Sequence, residues 1–508
     1  MATSRNLAKS FLKTLEKDSK FNILGHKEKN VWKNTSRQEL NNMINDGIYT
    51  LKQHGISNGD RVAYKGNNSI EWVAWNMACY AVGGIWVPMY HNQSFNYCNH
   101  IVDDCQPKLL ITDSINKYTE IDSSPLKKFI YTNNMDTVII TNTLNSYNNS
   151  TNINIETQND IATLIYTSGT TGNPKGVIVS HENILSNLDS INDRFNEITN
   201  YESLNILPWA HIYSLTCELY YNLMFDNKTY IGSNINEFIT EANEVKPSSL
   251  YIVPKVLETI KKRIEIFDKP IIKKVLPYVI SNLFGNNLNV VFVGGAKLDS
   301  YTKQFFLENG IQICEGYGCT ETAPMVSVNH NIDPKNTDSV GKIIKNVEVD
   351  IVNGEICVSG PNVMQGYWNN EEATNKSIFE KDNKRWYKTG DSGKIEDGFL
   401  FFDGRISENY KLSNGKFVNV ARIENTIRKF LKSNFIIYGE NRDYNTLITD
   451  CEVSKEKLNL INEELSTYIK IKHVVVINPN KMENFLTPKM SIKRKPLIEY
   501  VKTFDLMK

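Results

Sequence analysis

Tyr166-Thr167-Ser168-Gly169-Thr170-Thr171-Gly172-Asn173-Pro174-Lys175-Gly176-Val177 decides how this chain is read. The apolar run 161–166 before it and the run 177–181 after it both read as strands, so the stretch is predicted to form the tip of a hairpin. Gly169, Gly172 and Gly176 let the backbone turn tightly and come close to a ligand. Successive backbone N–H groups in such a turn form an anion-binding concavity. The hydroxyls of Thr167, Ser168, Thr170 and Thr171 add donors, and Lys175 adds a compact positive charge. A polyphosphate needs this kind of grip. The loop is not a Walker A motif, because no Gly-Lys-Ser/Thr closes a four-residue gap and a strand, not a helix, follows. In isolation it reads equally as a Gly/Thr surface turn.

The 508 residues leave room for about three domains' worth of sequence. Lys+Arg and Asp+Glu both number 57, so no global field draws in nucleic acid or an anionic membrane. The eight cysteines form no Cys-x-x-Cys pair and no secretory leader is recognisable, which predicts free thiols in a reducing cytoplasm. No run approaches the roughly 20 apolar residues of a membrane span.

Residues 1–60 read as helical and polar. From residue 61 a rhythm sets in: strand 61–64, helix 69–82 with Ser69 as N-cap, strand 85–88, helix 95–103, strand 108–111. Strand–helix–strand at these lengths predicts a parallel sheet with crossover helices. Residues 142–160, rich in Asn, Ser and Thr, read as a loose connector. Residues 217–225 read as a buried helix. Residues 250–255 read as a strand ending at Pro254, followed by a basic amphipathic helix over 256–264; Lys273 and Lys274 add to the charge. That pair suits either a solvated surface or a patch resting on a membrane.

Strand 289–293 ends at Gly294-Gly295-Ala296. Strand 311–314 leads into Glu315-Gly316-Tyr317-Gly318-Cys319-Thr320-Glu321, read as a loop beyond the strand end, where α/β sheets place ligands. Tyr317 offers an aromatic face to a base, Thr320 a hydroxyl to a phosphate, and Glu321 the hard oxygen that suits magnesium. Trp386-Tyr387-Lys388-Thr389-Gly390-Asp391 places a carboxylate at a strand end, where it can accept both hydroxyls of a ribose. His211, in Leu207-Pro208-Trp209-Ala210-His211-Ile212-Tyr213, fits either an interior hydrogen-bonding role or a ligand contact.

Taken in order, these motifs resemble the adenylate-forming (ANL) superfamily over nearly the whole chain. The Val253-Pro254-Lys255 segment and Ile406-Ser407-Glu408-Asn409-Tyr410-Lys411-Leu412 are closest in wording to long-chain fatty acyl-CoA synthetases. The resemblance implies an α/β fold with a large N-terminal domain, residues 1–403, of parallel-type sheets, helices and a β-barrel-like part. A small mobile α+β domain, residues 404–508, would turn about a hinge near 405–408, where Ser407 stands in place of the usual Asp or Lys. It also implies that Thr167, Ser168, Gly169, Thr170, Thr171, Gly172 and Lys175 hold phosphates. Gly295, Ala296, Tyr317 and Gly318 would border the adenine, and Asp391 and Arg405 would hold the ribose. Glu321 would hold Mg2+, with Thr320 beside it, and Lys493 of Ser491-Ile492-Lys493 would be the catalytic lysine. His211 and Gly295 would border the acyl group, and Lys411 would serve the second pose. The implied reaction joins a fatty acid to CoA at the expense of ATP. The alternatives are a ligase that loads a carrier protein and a non-catalytic nucleotide- or lipid-binding relative.

Overall fold

The computed structural model describes residues 5–113, 138–141, 144, 159–167, 174–265, 276–330, 333–335, 337–486 and 492–503. Ser168, Gly169, Thr170, Thr171 and Gly172 of the hairpin tip, Lys273, Lys274 and Ser491 lie outside the described residues, as does most of the Asn/Ser/Thr-rich connector.

Two large sheets carry the chain up to about residue 405. Among the described residues the first has seven strands. Its centre is parallel: Ile85–Tyr90 and Leu109–Thr112 flank Arg61–Gly66, and Val138–Thr141 extends one edge. Ile161–Thr167 continues the other edge and turns back antiparallel as Lys175–Ser180, which pairs in turn with Gly366–Tyr367. The crossover helix Ile70–Ala81 is capped by Ser69, whose hydroxyl accepts from the Trp72 N–H. Almost every residue of that helix is buried, because layers cover both of its sides. Trp72 packs edge-on against Trp86, with Tyr64 and Trp209 completing an aromatic knot.

Among the described residues the second sheet has fourteen strands. Ser249–Ile252, Val290–Val293 and Gln312–Gly318 run parallel. Beyond them, Met325–Val328 pairs antiparallel with Gln312–Gly318. The barrel-like part expected from the sequence is this antiparallel run, which continues through Lys342–Ile343, Phe399–Arg405, Lys384–Glu396, Glu355–Ser359 and Glu348–Val352.

The N-terminal sixty residues differ from the helical expectation. Between the helices Leu7–Leu15 and Arg37–Gln53 lie two strands, Asn22–Glu28 and Val31–Ser36. Asn22–Glu28 joins the fourteen-stranded sheet beside Lys228–Ile231, a partner about two hundred residues away that local pattern does not reveal. Residues 217–223 are buried as expected and Met224 and Phe225 partly so, but Ser214–Tyr220 is wound as a π-helix before a short α-turn, Tyr221–Met224.

From Tyr410 onward the chain builds its own small sheets: Tyr410–Lys411 with Phe417–Val418, and Phe435–Tyr438, Asn445–Thr449 and Ile471–Val476 together. Its cores are also its own. Val418, Ile423, Ile427, Phe435, Ile437 and Leu447 form one cluster, and Ile448, Met482, Leu497 and Val501 belong to another. Gly404, at φ +121°, stands at the junction; a Cβ there would fall 2.3 Å from the Ala421 Cβ, so only glycine lets the helix Val420–Arg428 pack against it.

Separate cores predict separable stability. Ile427→Ala leaves a cavity in a fully buried site and should cost about 2–5 kcal/mol. Calorimetry should then show an early transition lowered in temperature and the main transition unchanged; a single transition shifted as a whole would mean that the two parts share one core.

Candidate active site

Both sheets and the C-terminal part open onto one cleft of about 2060 Å3. The hairpin brings Thr167 opposite Lys175 at the neck of the tip, and both line the cleft. The neck is braced from behind. The His100 ring donates to the Pro174 carbonyl at 2.8 Å, the Tyr166 hydroxyl to Asp104 Oδ2 at 2.6 Å, and the Trp368 N–H to the Gly176 carbonyl at 2.7 Å. The Lys175 ammonium sits 5.1 Å from the centroid of the Tyr367 ring, whose hydroxyl donates to Glu321 Oε1 at 2.9 Å.

Glu321 and Thr320 come from a single 3-10 turn, Thr320–Thr322, and both line the cleft. The turn follows directly on Gln312–Gly318, so the expected loop is in part strand: Glu315, Gly316, Tyr317 and Gly318 are still hydrogen-bonded in the sheet. A Cβ on Gly318 would lie 1.8 Å from the Pro324 carbonyl oxygen, so the strand and the returning chain approach this closely only at a glycine. The Met364 N–H donates to the Glu321 carbonyl at 2.8 Å and fixes the turn from the far side.

Asp391 lies within the strand Lys384–Glu396, not at its end. Its Oδ2 accepts from the Tyr317 hydroxyl at 2.7 Å, and its Oδ1 lies 3.0 Å from Arg405 Nε. Oδ1 is out of line with that N–H and accepts no well-formed hydrogen bond. Burial pushes the Asp391 carboxyl up from its ordinary value, opposed by the Arg405 charge and the Tyr317 hydroxyl. Asp391 is buried behind Tyr317 and Arg405, and those two are the residues that line the cleft. Tyr317 and Asp391, 74 residues apart, thus form one polar unit.

Lys493 faces the same cleft from the C-terminal part. Its N–H donates to the Phe485 carbonyl at 2.7 Å, and its neighbour Arg494 is tied down. Arg494 Nη1 donates to Glu424 Oε1 at 2.7 Å and Nη2 to the Ile437 carbonyl at 2.9 Å. Its Nε lies 3.9 Å from Glu408 in the turn Ile406–Glu408. Sequence reasoning missed Arg494, which is hidden in a run of basic residues; the signal lay in its partners, not in the run.

Residues 22–368 match the AMP-binding enzyme family, well over half of the chain. The protein belongs to the AMP-binding enzymes, the adenylate-forming superfamily. A long-chain-fatty-acid–CoA ligase of Rattus norvegicus is 26% identical over 514 residues, covering 86% of this chain and 70% of the relative. The structure of ATP-bound MatB from Rhodopseudomonas palustris shares the fold with a TM-score of 0.80, at 20% identity, over 98% of this chain and 99% of that one. O-succinylbenzoate coenzyme A synthetase from Bacillus subtilis, in complex with AMP, shares it with a TM-score of 0.77 at 20% identity, over 96% and 97% of the two chains.

In this AMP-binding enzyme the remaining expected site residues divide. His211 and Gly295 line the cleft; His211 Nδ1 accepts from the Tyr213 N–H at 3.2 Å. Ala296 is exposed outside the lining, beside Gly295. Lys411 is exposed on the Tyr410–Lys411 hairpin and does not reach the cleft in this arrangement, where the C-terminal part turns Lys493 inward instead. The basic segment resolves differently from a surface patch: Lys261 is buried with its ammonium 3.4 Å from the centroid of the Tyr301 ring, and Lys255 donates to Asn434 Oδ1 at 3.0 Å. Among the described residues no helix is long and apolar enough to cross a membrane. All eight cysteines are free thiols.

The π-helix beside His211 carries a residue that pattern alone hid. Glu218 is fully buried, takes one hydrogen bond from Asn205 Nδ2 at 2.7 Å, and leaves Oε1 unpartnered. Burial pushes its carboxyl from 4.5 up to about 8, against the smaller pull of Asn205 and Trp209. The folded protein therefore keeps a proton that the unfolded chain releases, and Glu218 lowers stability progressively as pH rises from 4.5 to about 8. Glu218→Gln keeps the shape and removes the titration. Urea midpoints between pH 5 and 8.5 should fall for the wild type, by a free energy on the order of a few kcal/mol, and stay flatter for the variant. Parallel profiles for the two proteins would show that Glu218 is not the titrating group.

Proposed function

We propose that this protein is an ATP-dependent acyl-CoA synthetase for medium- to long-chain fatty acids. In this reading residues 1–403 form the nucleotide-binding domain, and residues 404–508 form a small domain that turns about residues 405–408. The observation that carries the reading is convergence: the hairpin neck at Thr167 and Lys175, the Thr320–Glu321 turn, Tyr317 with Arg405, and Lys493 all line one cleft. The fatty-acid substrate is favoured by the relative from Rattus norvegicus, whose name states that activity.

The chemistry gives each group a task. A carboxylate resists attack because its leaving group would be oxide. In the first step a carboxylate oxygen of the acid would attack the α-phosphorus of ATP, the bond from that phosphorus to the bridging oxygen would break, and pyrophosphate would leave. Two anions meet, so charge neutralisation is the main requirement. Lys175 and the hydroxyl-rich tip at 168–172 would grip the outer phosphates, and Lys493 would meet the charge that builds on the α-phosphate and acid oxygens. Gly295, Tyr317 and Gly318 would border the adenine. Asp391 Oδ1 is buried and lacks an aligned donor, so a ribose hydroxyl would reach it once Arg405 shifts aside; a second hydroxyl would take the place of the Tyr317 hydroxyl at Oδ2. Glu321 is an oxygen donor of the kind magnesium takes and would hold that ion, which when bound neutralises phosphate charge. In the second step the CoA sulfur would attack the acyl carbonyl, AMP would leave, and the thiol proton would pass to solvent. For that step the small domain would withdraw Lys493 and bring Lys411 forward. His211 would border the acyl group, and the free thiols suit a cytoplasmic setting.

Lys493→Ala should lower acid-dependent ATP–pyrophosphate exchange by about 10²–10³ and leave CoA thiolysis of supplied acyl-adenylate close to the wild-type rate. Equal losses in both half-reactions would contradict the assignment. A panel of acids from acetate to oleate, followed by AMP release, should peak at medium to long chains; a peak at an aromatic or dicarboxylic acid would overturn the substrate class.

A further inference from the structure

The Val253-Pro254-Lys255 segment has a use that the proposed chemistry does not absorb. After the strand Ser249–Ile252 comes Val253, and Pro254 starts the helix Pro254–Glu265. Lys255 therefore leaves the first turn of that helix. Its ammonium does not point into open solvent: it is half-buried against the C-terminal part and donates to Asn434 Oδ1 at 3.0 Å. Asn434 is itself held rigidly. Its Nδ2 donates to Asp450 Oδ2 at 2.6 Å and its backbone N–H to Asp450 Oδ1 at 3.1 Å, at the start of the strand Phe435–Tyr438. The charged groups around the Lys255 ammonium are Glu258 and Lys262 from its own helix and Arg428 and Asp450 from the facing part. A second contact runs beside it: Tyr301, more than half exposed on the helix Ser300–Glu308, lies 5.5 Å from the Lys432 ammonium and 3.4 Å from that of Lys261.

These contacts come from elements other than the connecting strand Phe399–Arg405, so they bear on how the C-terminal part is turned and not on whether it is attached. In the orientation they hold, Lys493 faces the cleft and Lys411 does not. We infer that Lys255 is a positioning residue: with Asn434 it clamps the small domain in the pose that activates the acid, and its release favours the pose that transfers the acyl group to CoA. The inference rests on the reading of the protein as a two-step acyl-CoA synthetase. A rigid acceptor makes the bond selective, because Asp450 fixes the Asn434 amide so that its oxygen faces Lys255 in this pose. The orienting role also explains why a lysine leaves the first turn of this helix, where an acidic side chain would suit the helix dipole better.

Two measurements test this. Nitroxides at Gln304 and Glu456, both exposed and on opposite sides of the junction, should give a narrow distance distribution in the wild type. Lys255→Met should broaden or shift it, Asn434→Leu should reproduce that change from the other side, and Lys255→Arg should restore the narrow distribution. In the two half-reactions, Lys255→Met should lower acid-dependent ATP–pyrophosphate exchange about 3–10-fold while CoA thiolysis of supplied acyl-adenylate holds or rises, again with rescue by Arg. An unchanged distance distribution, or half-reactions that fall together, would overturn the role of Lys255. If the wild type exchanges pyrophosphate with no acid, the proposed function fails, and the distance measurement still decides whether Lys255 orients the small domain.

Discussion

The hydrogen bonds along both edges of Gln312–Gly318 organise the cleft. On one edge this strand runs parallel with Val290–Val293, which brings Gly294 and Gly295 level with it; on the other it runs antiparallel with Met325–Val328, which folds the Thr320–Glu321 turn back over its end. The antiparallel run then returns through Phe399–Arg405 and Lys384–Glu396 and sets Asp391 against Tyr317. A register slip of one residue would turn Tyr317 to the other face and separate it from Asp391. The close approach at Gly318, which leaves no room for a Cβ, shows how tightly that geometry is set.

Around this frame the protein keeps charges inside and uses partners to control them. Asp391 is held by Tyr317 and Arg405, and Arg494 is shared among Glu424, Glu408 and a carbonyl. A buried charge is costly unless paired and hydrogen-bonded, so such clusters resist rearrangement within each part. Between the parts run Lys255 with Asn434, both half-buried, and Tyr301 with Lys432, both exposed.

Much of this was legible in the sequence. The hairpin at 161–180 stood out because a glycine- and hydroxyl-rich tip separates two apolar runs, and the helix Ile70–Ala81 because Ser69 marks its start. The link between Tyr317 and Asp391 was legible only through motif order, since no local pattern joins residues 74 apart. The strands Asn22–Glu28 and Val31–Ser36 were lost because their polar residues lack clean alternation and their pairing with Lys228–Ile231 is non-local. The π-helix Ser214–Tyr220 was read as ordinary helix because it is buried all round, which leaves no periodicity to count. Basic residues misled in one direction: Lys255 and Lys261 looked like surface charge and turn inward, and Arg494, not singled out at all, ties Glu424 to the Ile437 carbonyl.

In the proposed function a hairpin on one sheet, a turn on the other and Lys493 from the small domain act on a single nucleotide. A crystal structure with ATP and a non-reactive acid analogue tests this directly. Phosphates should lie between the 168–175 tip and Lys493, with a ribose hydroxyl on Asp391. A nucleotide bound elsewhere, or one whose phosphates lie beyond reach of both Lys175 and Lys493, would contradict it.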